Sequence, residues 1–293
     1  MGNEFKKIAD EDGDTYVEVE KVKDDDIIRS AAGGVQKSYF STTDGAMALP
    51  GYLVGLTLSN GTDTEHDIDI AVGFACSADW STYLRLATAI TKRLDASWAV
   101  GTGEGGLFTG TIAINTWYHV FLIKKDSDGS IDAGFDTSVS AANIPEGYTA
   151  YRRIGAVVAA DPANIIQFTQ NGDEFLWKTP RVDLDTSAQG TSAILRSLSA
   201  PPDIKADAII IAAGRHRSIT DAAVLITPVD VNDTAPTTLS LSQITGDITW
   251  SISSVQFEIR TNTSSQIRTR GNAADTDLAI TTLGWKDHRG RDG

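Results

Sequence analysis

Residues 90 to 155 are a succession of short apolar segments separated by Gly, Asn and Asp, and this rhythm restricts the chain more than any other feature. The same pattern extends from Tyr39 to about Trp177, through YLVGLTLS, IDIAVGFAC and TWYHVFLIKK. It returns after residue 190 in ADAIIIAAGRH, AAVLITPVD, ITWSISSVQFEIRTN and LAITTLGW. Strand-length runs of β-branched and aromatic residues between turn formers predict strands joined by tight turns. Ser81 to Ala96 is the best stretch for a helix, yet its Thr82, Thr88 and Thr91 suit a pair of strands, which we prefer. A hairpin is expected at Lys125 to Ile131, where Gly129 after Asp128 supplies the positive φ of a tight turn. After residue 190 neither a βαβ alternation nor a GxGxxG loop is present, which argues against a dinucleotide-binding α/β unit there.

The expected fold is therefore all-β, an antiparallel, jelly-roll-like β-sandwich of one domain or two. Residues 1–38 read as a short extended arm and 39–180 as a sandwich domain. A break is expected around Lys178 to Gln189. Residues 190–293 then form a second β region, either a second sandwich or the completion of the first. A chain of 293 residues that is 41% hydrophobic can bury such a core. Its formal charge of −14 argues against sequence-independent nucleic-acid binding and against anionic membrane surfaces. The apolar runs are too short to span a bilayer and the N-terminus has no apolar h-region, so neither membrane insertion nor a secretory leader is expected. Cys76, the single cysteine, excludes an intrachain disulfide and reads as a buried thiol.

Within the arm, Tyr16-Val17-Glu18-Val19-Glu20-Lys21-Val22 alternates as an exposed strand with one apolar face does, and Ile27-Ile28 supplies a second short strand. So short a segment cannot bury a core of its own. Tyr16, Val17, Val19, Val22, Ile27 and Ile28 are accordingly the candidate oligomerisation and attachment residues.

The polar motifs carry less. Asp10, Glu11, Asp12 and Asp14 invite a calcium reading, but Gly13 precedes Asp14 instead of following the third acidic ligand, and no bidentate Glu follows; a solvated turn fits better. Asp126, Asp128 and Asp132 are explained by the hairpin. Asp63, Glu65, His66, Asp67 and Asp69 are explained by a polar outer sheet face. The histidines, at 66, 119, 216 and 288, form no metal-ligand spacing. His119 shares a strand face with Trp117 and Phe121, which favours a packed, hydrogen-bonded role. Asp173 with Glu174, and Asp183 with Asp185, are the acid pairs that glycoside cleavage would draw on. The six tryptophans, Trp80, Trp98, Trp117, Trp177, Trp250 and Trp285, offer rings for stacking on sugars, although core packing is the commoner use. No GxSxG elbow is present. We expect no catalytic residue, no cofactor and no metal.

Several strings resemble one group of proteins. LVGLTLSNGTDTEHDIDI (53–70), ITKRLDASWAVGTGEGGLFTG (90–110), TWYHVFLI (116–123), IPEGYTAYRRIG (144–155), QNGDEFLW (170–177) and the ending IRTRGNAADTDLAITTLGWKDHRGRDG look like tailed-phage and prophage fibre-type proteins, over roughly residues 45 to 293. The N-terminal IADEDGDTYVEVEKVKDDDIIRSAAGG is similar to a short β motif of phage tail and fibre proteins. The resemblance implies a structural virion protein made in the host cytoplasm and placed on the surface of a phage, or of a phage-like particle such as a gene transfer agent. It would be a tail fibre, tail spike or head fibre, and the short arm suits a compact spike or fibre tip. The implied partners are two further copies in a homotrimer, particle proteins of tail, baseplate or capsid held through the arm, and host surface polysaccharide bound multivalently. The alternatives are a glycan-cleaving spike using Asp173 and Glu174, and a capsid decoration protein with no host role.

Overall fold

Every regular element among the described residues is a strand, as the turn-punctuated sequence predicts. The computed structural model describes residues 7–19, 27–41, 46–48, 51–217, 222–237, 240–246 and 252–291. The fold is all-β and sandwich-like. Ser81 to Ala96 forms the strands Tyr83–Leu86 and Ile90–Ser97 rather than a helix. At the expected hairpin, Thr116–Lys125 and Ile131–Asp136 pair antiparallel, with Gly129 at φ 73° between them.

The first sheet is a five-stranded meander of Lys7–Ala9, Tyr16–Val19, Ile27–Ala32, Val35–Ser41 and Ala46–Ala48. It continues past residue 38 because Gly33 and Gly34, both at positive φ, fold the chain back into a further antiparallel strand instead of leading it into the body. Among the described residues it contributes nothing to either apolar core.

Among the described residues the body holds four sheets. A small one orders Tyr83–Leu86, Gly73–Cys76 and Leu53–Gly55. The largest has eight strands, in the order Asn164–Ile165, Tyr148–Ala160, Thr116–Lys125, Ile131–Asp136, Gly105–Leu107, Ile90–Ser97, Asp67–Ile70 and Leu58–Asn60. Gly105–Leu107 runs parallel to both neighbours, so the sheet is mixed at that point. A five-stranded sheet orders Phe168–Asn171, Glu174–Thr186, Thr276–Lys286, Asp207–His216 and Ser253–Arg260. A four-stranded one orders Ile194–Ser197, Gln266–Gly271, Ala222–Pro228 and Ile244–Gly246.

The break expected at Lys178 to Gln189 is occupied by the strand Glu174–Thr186. Its pairing with Thr276–Lys286 shifts register between Leu176 and Arg181 and again between Val182 and Leu184. Pro180, which lacks an N–H, is accommodated in the first irregularity. One apolar cluster then runs across this point, from Leu56, Val120 and Phe135 through Phe175 and Trp177 to Ile210, Ile267 and Trp285. The regions expected at 39–180 and 190–293 thus share a core.

Candidate functional surfaces

The alternation that marks the arm in sequence becomes two different faces of the N-terminal sheet. Ile8 stands opposite Val17, and Val17 opposite Ser30, and two residues back from Ser30 Ile28 lies on the same face of the sheet. Ile8 is 74%, Val17 46% and Ile28 36% exposed. Tyr16 stands opposite Ala9 and Ala31 on the reverse face, with the Lys7 ammonium 3.8 Å from its ring centre. Val22 lies outside the described residues. Of the candidate attachment residues, Tyr16 thus lies on the face opposite Val17 and Ile28, and Ile8, which sequence reasoning passed over, shares the face of Val17 and Ile28.

A second surface lies on the small sheet. Val54 pairs with Phe74 and Phe74 with Arg85, so all three point to one side, while Leu53, Ala75 and Leu84 face the core. Tyr52 and Tyr83 complete an aromatic ladder on that side, their rings 5.2 and 5.4 Å from that of Phe74. Tyr52, Val54 and Val72 are exposed. The turn joining the Phe74 and Tyr83 strands carries Trp80, 46% exposed and held at φ 61°. A bulky residue in the left-handed region is disfavoured, and here the turn enforces it. Buried Ser77 donates its hydroxyl to Asp79 at 2.6 Å and accepts the Thr82 amide at 3.0 Å, while the Trp80 amide donates to the Ser77 carbonyl at 3.0 Å. Of the other described tryptophans, Trp177 and Trp285 are buried, Trp117 packs against them, and Trp98 donates its indole N–H to the Ala133 carbonyl.

A third assembly is internal. Arg153 forms a bidentate pair with Asp287, at 2.8 and 2.7 Å, and donates from Nε to His119 Nδ1 at 2.9 Å. Burial and the adjacent Arg153 charge push the His119 pKa down to about 3, so the ring is neutral with its proton on Nε2. Burial opposes ionisation of Asp287, but the Arg153 guanidinium and the Arg289 amide outweigh it and hold the carboxyl below its usual range. Arg289 and Arg291 both bind Asp173, and Arg289 also reaches the Gly55 carbonyl. In the eight-stranded sheet, wholly buried Lys92 donates to the carbonyls of Ala99 and Gly101 and pairs with Asp132 at 3.1 Å. Burial lowers the pKa of Lys92, with Asp132 acting against it.

This network decides where the predicted acids stand. Asp173 is taken up by two arginines, and Glu174 begins the strand opposite Lys286. Asp183 accepts from the Ser199 amide and hydroxyl and from Thr282. Asp185 alone of the four lines a cleft of about 260 Å³, together with Ala213, Gly214, Ile252 and Asp277; Arg215 and Arg217 bind Asp277 there. The carboxylates of Asp10, Asp12 and Asp14 converge, as do the side chains of Asp63, Glu65 and His66, at exposed or half-buried positions. Asp126, Asp128 and Asp132 separate: Asp126 holds Thr149, Asp128 caps its own turn, and Asp132 is buried with Lys92. Cys76 is buried, and burial raises its thiol pKa.

No protein-family model matches the chain, and no curated protein does. Among solved structures, infectious bursal disease virus of the Gx strain aligns at 12% identity over 82% of this chain and 71% of that one, with a TM-score of 0.23. The VP2 subviral particle of infectious bursal disease virus aligns at 11% identity over the same shares, with a TM-score of 0.24. A beta-fructofuranosidase of Schwanniomyces occidentalis aligns at 8% identity over 96% of this chain and 69% of that one, with a TM-score of 0.19. Superpositions at this level assign no function, which leaves that to the chain's own residues.

Proposed function

We propose that this chain is a structural protein of a phage or phage-like particle, a spike or fibre that assembles as a homotrimer through its N-terminal sheet and adheres to host-surface glycan. The observation that carries the reading is the apolar face of Ile8, Val17 and Ile28, exposed on a sheet whose described residues join neither apolar core. A single-layer sheet with one apolar face gains stability by covering it. Further copies of the same chain present the same face, which suits closed symmetric assembly. The acidic surplus keeps the outer surfaces of such assemblies apart. The surface for glycan is the ladder of Tyr52, Phe74 and Tyr83 with Trp80 beside it, since flat rings stack on the apolar faces of sugar rings. Several weak sites on one particle then act together.

Sedimentation equilibrium at micromolar concentration tests the assembly: the expected mass is about threefold that of the chain, and the triple change Ile8→Ser, Val17→Ser, Ile28→Ser is expected to give monomers. A wild-type chain that sediments only as a monomer overturns it. Co-sedimentation with host polysaccharide tests adhesion. Trp80→Ala with Tyr52→Ala is expected to weaken binding about 10-fold, corresponding to about 1.4 kcal/mol. Binding unaffected by both changes removes this surface from consideration, shortening of the polymer favours a glycan-cleaving spike, and absence of binding favours a decoration protein.

A further inference from the structure

Independently of that reading, the buried pair of Lys92 and Asp132 carries an inference of its own. Lys92 stands on the strand Ile90–Ser97 and Asp132 on Ile131–Asp136, and the three-residue strand Gly105–Leu107 runs between them. Gly106 in that strand leaves room for the lysine, since a Cβ there would lie 3.0 Å from Lys92 Cβ. The Lys92 side chain is 0% and that of Asp132 6% exposed, and Nζ stands 3.1 Å from Oδ1. The Trp98 ring, itself packed T-shaped against buried Tyr148, lies with its centre 5.5 Å from Nζ. An ion pair shut away from water in this manner is costly to keep charged. Burial disfavours the ammonium form of Lys92, against the pull of Asp132. Transfer of one proton from Nζ to Oδ1 removes both charges and leaves a free amine beside a carboxylic acid.

The hydrogen bonds around the pair fix how these two groups meet. Nζ donates to the carbonyls of Ala99 at 2.6 Å and Gly101 at 3.0 Å. Those acceptors take the two N–H bonds of a neutral amine, so its lone pair is left on the side of Asp132. The Ala133 amide donates to Oδ1 at 2.7 Å and the Gly101 amide to Oδ2 at 2.9 Å. Backbone donors on both carboxyl oxygens stabilise the negative charge that gathers on oxygen when the carboxyl carbon is attacked. A desolvated lysine amine is an activated nucleophile, and groups held at contact distance react as if at very high concentration. We propose that Lys92 and Asp132 condense into an intramolecular isopeptide bond. The Nζ–Cγ bond forms and the Cγ–Oδ1 bond breaks. Oδ1 leaves as water, carrying the proton it took from the ammonium and one from the amine. Ammonium and carboxylate thus become a neutral secondary amide plus one water, so no co-reactant is required. The link fastens Ile90–Ser97 to Ile131–Asp136 across Gly105–Leu107, whose own pairing with each is short.

Intact-mass spectrometry of the full chain under denaturing conditions tests this. The wild type is expected to weigh one water less than its sequence. Trypsin is expected to release a branched peptide in which residues 86–93 are joined to residues 126–152 through Lys92 and Asp132. Lys92→Met and Asp132→Ala are each expected to show their full sequence mass and to lack the branch. Lys205→Met, at an exposed ion pair, is expected to keep both the water loss and the branch. A wild-type chain at its full sequence mass overturns the proposal. So does a water loss confined to one linear peptide, as an imide at Asp128-Gly129 would be, or one that persists in Lys92→Met. Should neither variant fold, the wild-type mass and its branched peptide decide alone.

Discussion

At the scale of single residues, His119 shows how burial converts a titratable group into a structural one. In the unfolded chain it takes up a proton below its ordinary pKa of 6.5, whereas in the folded chain burial and Arg153 delay protonation to about 3. Between those values the unfolded state binds more protons, so stability rises with pH and is lost as the solution is acidified. The slope from this residue is about 1.4 kcal/mol per pH unit. Asp287 acts in the same direction further down, because its depressed carboxyl must be protonated before the Arg153 pair is lost. Urea unfolding at pH 6 and pH 4 is expected to show the wild type weakened by about 2.5 kcal/mol from His119. His119→Asn keeps an acceptor for Arg153 without the titration, and its stability is expected to change much less over that interval. Equal slopes in both proteins would show that His119 is not the group responsible. The sequence placed His119 on a packed face with Trp117 and Phe121, which holds. It could not name Arg153 and Asp287 as partners, because 34 and 134 residues separate Arg153 from them and no local spacing records such pairs.

At the scale of elements, strand existence was legible because alternation and turn chemistry are local properties. The hairpin at Asp128-Gly129 follows from residues close along the chain, and Ser81 to Ala96 does form strands, although Tyr83–Leu86 and Ile90–Ser97 join different sheets instead of pairing with each other. Boundaries depending on tertiary pairing were not legible. Lys178 to Gln189 reads as a break until the partner strand is known, and residues 1–38 read as the whole arm until the chain is seen to turn back at Gly33-Gly34. Gly284 is another such case. It sits where Thr276–Lys286 changes register against Asp207–His216, and a Cβ there would fall 2.0 Å from the Phe175 carbonyl oxygen and 2.8 Å from Leu176 Cα. Both are backbone atoms of the neighbouring strand, so no rotamer change relieves the clash. Gly284→Ala is expected to destabilise the chain by about 3 kcal/mol or more in chemical unfolding. A loss below about 0.5 kcal/mol, the range of a neutral surface change, would mean that the two strands separate easily at this point.

At the scale of the molecule, the two β regions are joined by aromatic packing and by charge. Trp285 stacks on Phe175 with ring centres 5.0 Å apart, and also contacts Trp177 and Trp117. Two strings that stand out in the sequence only by resemblance, around Arg152-Arg153 and at the C-terminal end, come together here as the Arg153–Asp287 pair and the clamp on Asp173. A fragment of residues 51–189 lacks Trp285, leaves Phe175 and Trp177 without their partner, strips Glu174–Thr186 of its Thr276–Lys286 neighbour, and strands Arg153 without Asp287. Losing a large aromatic residue from a core costs about 3–5 kcal/mol, and stranding a buried charge costs a similar amount. Together these approach the whole stability of an ordinary domain. The fragment is therefore expected to give the collapsed amide dispersion of an unfolded chain in a ¹H–¹⁵N spectrum, and to fold when co-expressed with residues 190–291. A well-dispersed spectrum from the fragment alone would instead make it an independent folding unit, with the aromatic and ionic contacts merely joining two finished domains.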